Sequence, residues 1–263
     1  MPESQKSPSQ PTDLPVMGFL DHLDELRRRL LYSLAAIALA FALALTQARA
    51  ILEYCLRPIR PFLGEQKPVF LDLTEPFVLY MKVGFLASMF LSAPFVLYQL
   101  WAFIAPGLYA RERRMAFPFV LFATVFFVLG GAFGYFIGFP SAARFLLSIA
   151  GDFQPNLRIS SLFTFESRII LGMGLVFELP TVIYFLARLG LVTPRFLWRR
   201  FNYAILIIFI VAAVVTPTPD VVTQCLFAAP MIGLYLISIL VAHVFGRPRR
   251  VEAPRRAETT AAP

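Results

Sequence analysis

Long runs of apolar residues dominate the pattern along this chain, and short segments that carry most of the charge separate them. The runs lack the regular polar positions that would give a helix a water-facing side. Most approach or exceed the ~20 residues that a helix needs to cross the roughly 30 Å hydrocarbon core of a membrane. The pattern therefore predicts an all-α, polytopic membrane protein with six transmembrane helices. Their approximate bounds are 30–46, 77–104, 115–139, 163–187, 201–215 and 221–245.

The segments outside these runs divide the chain into a membrane domain and two tails. Residues 1–18 are rich in Ser, Pro and Gln, and residues 246–263 are rich in Arg and Pro. Both compositions predict disordered tails, because they supply too few apolar groups to form a core. Residues 19–29 predict the charged, amphipathic start of the first helix. Residues 140–162 are interpreted as a polar loop.

Small residues and one proline predict how two of the spans are shaped. Gly130, Gly134 and Gly138 recur every four residues, which places them on one face of the third span and favours close helix packing. Pro94 lies inside the second span and is predicted to kink it.

The first apolar run has a second interpretation. Three arginines precede it and Ala48-Arg49-Ala50 follows it, which is also the pattern of a cleavable signal peptide. Nearly thirty residues precede the run and five further apolar segments follow, so an uncleaved span is the simpler interpretation.

Composition supports a membrane protein. The chain is 58% hydrophobic and 15% charged, with a mean hydropathy of +0.70. Soluble domains average about 45–50% apolar and about 25% charged residues. The net charge of +8 would also suit nucleic-acid binding, but the arginines cluster at the ends of apolar runs. This placement favours a topological role, and no nucleic-acid partner is expected.

The distribution of basic residues predicts the orientation. An even number of spans puts both termini on one side, and most arginines fall on that side. The basic residues on that side are Lys6, Arg27, Arg28, Arg29, Arg111, Arg113, Arg114, Arg188, Arg195, Arg199, Arg200, Arg247, Arg249, Arg250, Arg255 and Arg256. An excess of Lys and Arg marks the cytoplasmic side, so both termini are predicted to be cytoplasmic.

The sequence offers no pattern of metal or catalytic residues. Cys55 and Cys225 are far apart, and His22 and His243 are isolated from other ligand types. Phosphate-binding glycine loops and nucleophile motifs are also missing from the sequence. We therefore expect no metal, no cofactor and no enzymatic activity.

The carboxylates carry the functional prediction. Glu178 lies deep in an apolar span, where an acid either bonds a neighbouring helix or serves a function. Glu25 and Glu112 lie among arginines, where local ion pairs would explain them equally well. Acids brought together in the fold would instead bind an external arginine pair, because guanidinium and carboxylate form forked hydrogen bonds that lysine cannot reproduce. Asp220 is placed to cap the first turn of the sixth span.

Four motifs resemble those of the TatC family of protein translocase subunits, and they extend over nearly the whole chain between its tails. They are HLDELRRRLL at 22–31, LSAPFVLYQLWAFIAPGLYARERR at 91–114, FELP at 177–180, and TPTPD at 216–220 followed by Gln224. The resemblance implies a glove-shaped six-helix fold with a concave face. It also implies a twin-arginine signal-peptide receptor, in the bacterial inner membrane, for the export of folded proteins driven by the proton-motive force. TatA and TatB would be the single-span partners in a multimeric TatBC complex.

The resemblance also implies roles for individual residues. Glu25 and Glu112 would bind the arginine pair, and Asp24, an additional acid beside Glu25, would share that role. Arg27, Phe103 and Arg113 would flank or order the signal-peptide site. The intramembrane and partner-contact residues would be Glu178, Pro180, Asp220 and Gln224. Pro58 and Glu75 would lie in exported-side segments that matter for assembly.

Two other functions remain as alternatives. In a secondary transporter Glu178 would be the proton site, but the two halves of the chain show no internal repeat. An intramembrane enzyme would need a catalytic cluster, and the sequence indicates none.

Overall fold

The computed structural model describes an all-α protein, as the sequence predicts. The described residues are 19–63, 68–104, 116–149, 151, 157–188, 190–216 and 220–246. Within these ranges the structure has no strand, and a single isolated bridge joins Val69 to Arg158. The predicted tail at 1–18 lies outside the described residues, and so does the predicted tail at 246–263 apart from Gly246.

The helices of the described chain follow one another in this order: α1 (Phe19–Thr46), α2 (Ala48–Cys55), α3 (Arg60–Leu63), α4 (Glu75–Ile104), α5 (Ala116–Phe133), a π-helical turn (Gly134–Gly138), α6 (Phe139–Ile149), α7 (Ile159–Phe177), α8 (Leu179–Arg188), α9 (Pro194–Arg199), α10 (Phe201–Val215) and α11 (Val221–Phe245).

Six apolar segments cross a membrane in this fold. Five are long and apolar enough by themselves: Leu20–Thr46, Glu75–Ile104, Phe117–Ile149, Ile159–Arg188 and Val221–Phe245. The sixth, α10, has 15 residues and is about 22 Å long at ~1.5 Å per residue. Because lipid offers no hydrogen bonds, these segments satisfy their backbone groups internally as helices. The protein is therefore a multi-pass membrane protein, and the prediction of six spans is confirmed.

The helices pack so that the bundle has two distinct ends. α1 packs along α4, α5 packs against α4 and α7, and α11 packs against α8 and α10. We call one end the Glu25 end; it holds the start of α1, the end of α4 and the start of α5. The opposite end, which holds the starts of α4 and α7, is called the Glu75 end.

Glycines let α5 approach α7 closely. A Cβ atom at Gly130 would overlap the carbonyl oxygen of Met173 and lie 2.7 Å from the Cβ of Phe177. At Gly134 it would lie 3.0 Å from the carbonyl oxygen of Ile169. The prediction that this glycine face packs against another helix is confirmed.

The Gly130→Ala variant is expected to destabilise the protein, because its methyl group meets backbone atoms that cannot rotate away. Overpacking of this kind costs ~1–3 kcal/mol, whereas alanine is intrinsically better than glycine in a helix. Gly233→Ala in α11 is the matched control, since a Cβ atom there would meet nothing beyond its own helix backbone within 4 Å. The midpoint of thermal unfolding in detergent should fall for Gly130→Ala and hold or rise for Gly233→Ala. Equal midpoints would contradict close packing at Gly130.

Two segments differ from the sequence prediction. The interpretation of 140–162 as a loop is wrong for its first part, because α6 continues to Ile149 and buries Phe139, Ala142 and Ala143. Pro140 does not end the helix, since it follows a π-helical turn in which the usual hydrogen-bond register is already altered.

The fourth span is interrupted at Glu178, where one continuous helix was predicted. α7 ends at Phe177, and the N–H of Glu178 donates to the carbonyl of Leu175 at 3.2 Å. Pro180 has no N–H to continue the ladder. The helix resumes as α8, in which Val182 N–H donates to the carbonyl of Glu178 at 2.9 Å.

Candidate functional site

A partly buried ion pair at the Glu25 end lies where α1 crosses the last turns of α4. Arg29 Nη2 donates to Glu25 Oε1 at 3.3 Å, and the side chains are 23% and 10% exposed respectively. Four residues separate the two along α1, so they share one face of the helix. Arg29 Nη1 also donates to Gln99 Oε1 at 3.0 Å, and Gln99 is buried in α4. Gln99 thereby fixes the guanidinium that holds Glu25.

Glu25 keeps one acceptor atom free. Its Oε2 is buried and forms no hydrogen bond within the described chain, and Arg29 Nε is likewise without a partner there. A carboxylate has several acceptor positions, and an unfilled one away from water is costly. The site is therefore arranged to accept a further hydrogen bond from a donor outside the described residues.

Two further acidic residues share a cavity with this carboxylate. Asp21, Asp24, Glu25 and Arg28 line a cavity of about 290 Å³ at the start of α1. Asp24 and Glu25 therefore border the same cavity. Arg27 is exposed and does not line this cavity.

Aromatic packing fixes the end of α4 beside the cavity. Phe103 stacks on the ring of His22, with 4.4 Å between ring centroids and 16° between planes. Two residues earlier in α4, the buried Trp101 packs against Phe119 and Phe185 at 4.9 and 4.2 Å between ring centroids. These contacts join α1, α4, α5 and α8, and this packing holds the helix ends next to Glu25 in place. Two of the predicted site residues, Glu112 and Arg113, lie outside the described residues.

Glu178 and Pro180 lie together in a second region, at the break between α7 and α8. Glu178 is half-buried, and its Oε1 forms no hydrogen bond within the described chain. The buried Thr181, three residues further along, is a neighbour whose hydroxyl interacts with the Glu178 carboxylate. Pro180 and Thr181 border an apolar cavity of about 300 Å³ between α5, α8 and α11. These residues line a different cavity from the one that Glu25 lines.

Asp220 and Gln224 hold the start of α11. The backbone N–H of Thr223 donates to Asp220 Oδ1 at 2.6 Å, which confirms the predicted helix cap. Gln224 Nε2 donates to the carbonyl of Phe209 at 2.9 Å and so joins α11 to α10.

Glu75 is the centre of a polar cluster at the other end of the bundle. It is 4% exposed, and its carboxylate accepts hydrogen bonds from Arg158 Nε at 2.9 Å, Leu71 N–H at 3.0 Å and Ser160 N–H at 3.2 Å. Arg158 also reaches Asp72 at 3.1 Å. These bonds fasten the segment before α4 to the start of α7. Pro58 lies in the turn that precedes the buried Ile59.

Sequence reasoning missed the residues that complete these clusters. The Glu25–Arg29 spacing of four was visible in the sequence and predicts an ion pair on a helix. Gln99 and Arg158 reach their partners across 70 and 83 residues of chain, respectively. Such contacts depend on the packing of different helices, which no local pattern reveals.

Comparison with known proteins gives one consistent family. Residues 21–230 match the model of the Sec-independent protein translocase protein (TatC) family. The Sec-independent protein translocase protein TatC of Koribacter versatilis is 45% identical over 92% of each chain. That of Desulforapulum autotrophicum is 40% identical over 98% of this chain and 92% of its own. A crystal structure of the twin arginine translocase receptor TatC is 35% identical, with a TM-score of 0.75 over 84% of this chain and 97% of the other.

Proposed function

The chain belongs to the TatC family of Sec-independent protein translocase proteins, and from this premise we propose that it is a receptor for twin-arginine signal peptides. It would form the core of a bacterial inner-membrane complex with the single-span proteins TatA and TatB. That complex would export folded proteins, with the proton-motive force as its energy source. The excess of arginine on the side of the two termini supports a cytoplasmic Glu25 end.

The free oxygen of Glu25 is the observation that carries the proposal. Arg29 holds Oε1, while Oε2 has no described hydrogen-bond partner and the neighbouring cavity is lined mainly by acids. A guanidinium group of a bound peptide would complete the carboxylate with a charge-assisted hydrogen bond. Lysine would supply the charge but not the planar fork.

Glu112 is proposed as the second carboxylate of this site. It belongs to the segment 105–115, which joins the end of α4 to the start of α5. Both of these helix ends lie at the Glu25 end, where Trp101 of α4 contacts Phe119 of α5. This proximity supports a role for Glu112 and Arg113 beside Glu25, with Asp24 as an auxiliary acid. Phe103 and Arg27 would border the peptide.

Glu178 is proposed to contact a partner helix rather than the signal peptide. Its unpaired carboxylate oxygen and the apolar cavity beside Pro180 together would suit a single-span helix that carries a polar side chain. Asp220 and Gln224 would support this contact by holding the start of α11. At the other end, Glu75 and Pro58 would shape the exported-side segments for assembly.

Peptide binding tests the proposal. Purified protein in detergent should bind a fluorescent twin-arginine signal peptide at least about tenfold more tightly than the same peptide with twin lysine. Glu178→Ala should retain this preference and instead lower disulfide cross-linking to TatB. Equal affinity for the two peptides would contradict the receptor proposal, and loss of peptide binding in Glu178→Ala would move that residue into the peptide site.

A further inference from the structure

Basic and hydroxyl side chains converge at the Glu75 end, next to the Glu75 cluster, with which the cavity they line shares Arg158 and Ser160. Lys82 of α4 and Arg158, Ser160, Thr164 and Arg168 at the start of α7 line an open cavity of about 330 Å³. Lys82 Nζ donates to Thr164 Oγ1 at 3.0 Å and to Ser160 Oγ at 3.4 Å. Among the residues that the structure describes, the lining contains no carboxylate. The cavity therefore has the chemistry of an anion site.

Two of its three cations lack a counter-charge in the described chain. Arg158 is neutralised by Glu75 and Asp72, whereas Lys82 and Arg168 form no ion pair with a described residue. Glu166 is only two residues before Arg168 in the sequence, but its side chain is fully buried. Its oxygens accept no hydrogen bond from a described residue, so it is not a partner for Arg168. Cations inside a membrane span are costly unless they are paired or reach the interface.

The depth of Lys82 matches the border between headgroups and hydrocarbon. α4 has 30 residues and is about 45 Å long, against roughly 30 Å of hydrocarbon. We divide the excess length of α4 equally between its two ends. Lys82, about 10 Å from the start of the helix, then lies within a few Å of the border between headgroups and hydrocarbon. The cavity is consequently within reach of a lipid headgroup.

An apolar groove continues directly from the cationic cavity. Lys82 and Thr164 border both spaces, and the groove of about 510 Å³ is otherwise lined mainly by Phe41, Met81, Phe85 and Leu171. Phe85 is 51% exposed, so this groove opens towards the surrounding bilayer. A cationic, hydroxyl-lined cavity joined to a membrane-facing apolar groove is complementary to a molecule with an anionic head and a hydrocarbon tail.

We propose that this composite site binds an anionic phospholipid, with its phosphate held by Lys82, Arg168 and the hydroxyls of Ser160 and Thr164, and one acyl chain in the groove. The lipid would supply the negative charge that the described chain does not place beside Lys82 and Arg168. It would also fill the space between α1, α4 and α7 at the Glu75 end.

Lipid binding to the purified full-length protein tests this site. The probes are dioleoyl phosphatidylglycerol, dioleoyl phosphatidylcholine, glycerol phosphate and inorganic phosphate, each titrated against the protein in a neutral detergent. Phosphatidylglycerol should bind at least about fivefold more tightly than phosphatidylcholine. Lys82→Gln and Arg168→Gln should each weaken it about fivefold, and the double variant about 25-fold. Arg49→Gln, which removes a charge at the same end but outside the cavity, should leave binding unchanged.

The comparison of probes decides what occupies the site. Tight phosphatidylglycerol binding with weak binding of glycerol phosphate and phosphate would support the composite site. Equal affinity of the small anions and the lipid would overturn the role of the groove. The double variant should keep the thermal midpoint of the parent protein, which shows that it is folded. Unchanged phosphatidylglycerol binding in this variant would overturn the site itself.

Discussion

Glu25→Gln is expected to weaken twin-arginine peptide binding by about 30-fold or more, while the protein remains folded in the membrane. Breaking one charged hydrogen-bonded pair at an interface typically costs ~2–5 kcal/mol. The substitution keeps the shape of the side chain and removes the charge that a guanidinium needs. Glu25→Lys should have a larger effect, because its ammonium group would repel both Arg29 and the peptide.

A matched control separates this effect from a general loss of charge. Glu53→Gln removes an acid that is 64% exposed, pairs with Arg60 and belongs to α2 near the opposite end of the bundle. Its peptide affinity should equal that of the parent protein. The measurement is the dissociation constant of a fluorescent twin-arginine peptide. Parental affinity in Glu25→Gln would remove this carboxylate from the proposed site.

Glu75→Gln is expected to give the largest loss of stability among single charge changes in the described chain. The carboxylate of Glu75 accepts three hydrogen bonds in a buried position. A glutamine amide presents an NH₂ group to donors and cannot replace the second oxygen. The midpoint of thermal unfolding in detergent should fall by several degrees, because the segment before α4 loses its attachment to α7.

The exposed pair at Glu53 again supplies the comparison. Solvent-exposed ion pairs contribute ~0–1 kcal/mol, so Glu53→Gln should shift the midpoint little. Both variants remove one negative charge, and they differ chiefly in burial and in the number of hydrogen bonds lost. A midpoint for Glu75→Gln as high as that of Glu53→Gln would show that the Glu75 cluster does not stabilise this end.

The membrane fold was predictable because lipid offers no hydrogen-bond partners, so the backbone must form its hydrogen bonds internally. A long apolar run must form a helix, and the arginines between runs suggest which ends lie together. The glycine repeat at Gly130 and Gly134 was equally informative, since small residues allow backbones to touch. The break at Glu178 was missed, although Pro180 in the sequence indicates that the hydrogen-bond ladder cannot continue there.

The candidate site was predictable only in part. Resemblance to TatC motifs selected Glu25 and Phe103, and the structure places both where α1 meets the end of α4. The contacts between the two helices, Gln99 with Arg29 and His22 with Phe103, follow from the crossing of α1 and α4. That crossing depends on side-chain packing over the full length of α1 and α4, which motif spacing does not encode.

Cross-linking between Glu25 and the arginine pair tests the central claim most directly. A photoreactive residue placed next to the arginine pair of a precursor leaves the carboxylates of the protein intact, and the same residue in a twin-lysine precursor is the control. We predict adducts on the fragments that contain positions 25 and 112 with the twin-arginine precursor only, and none on the fragment that contains position 53. Equal adducts with both precursors, or adducts around position 53 in place of 25 and 112, would contradict a carboxylate site for arginine at the Glu25 end.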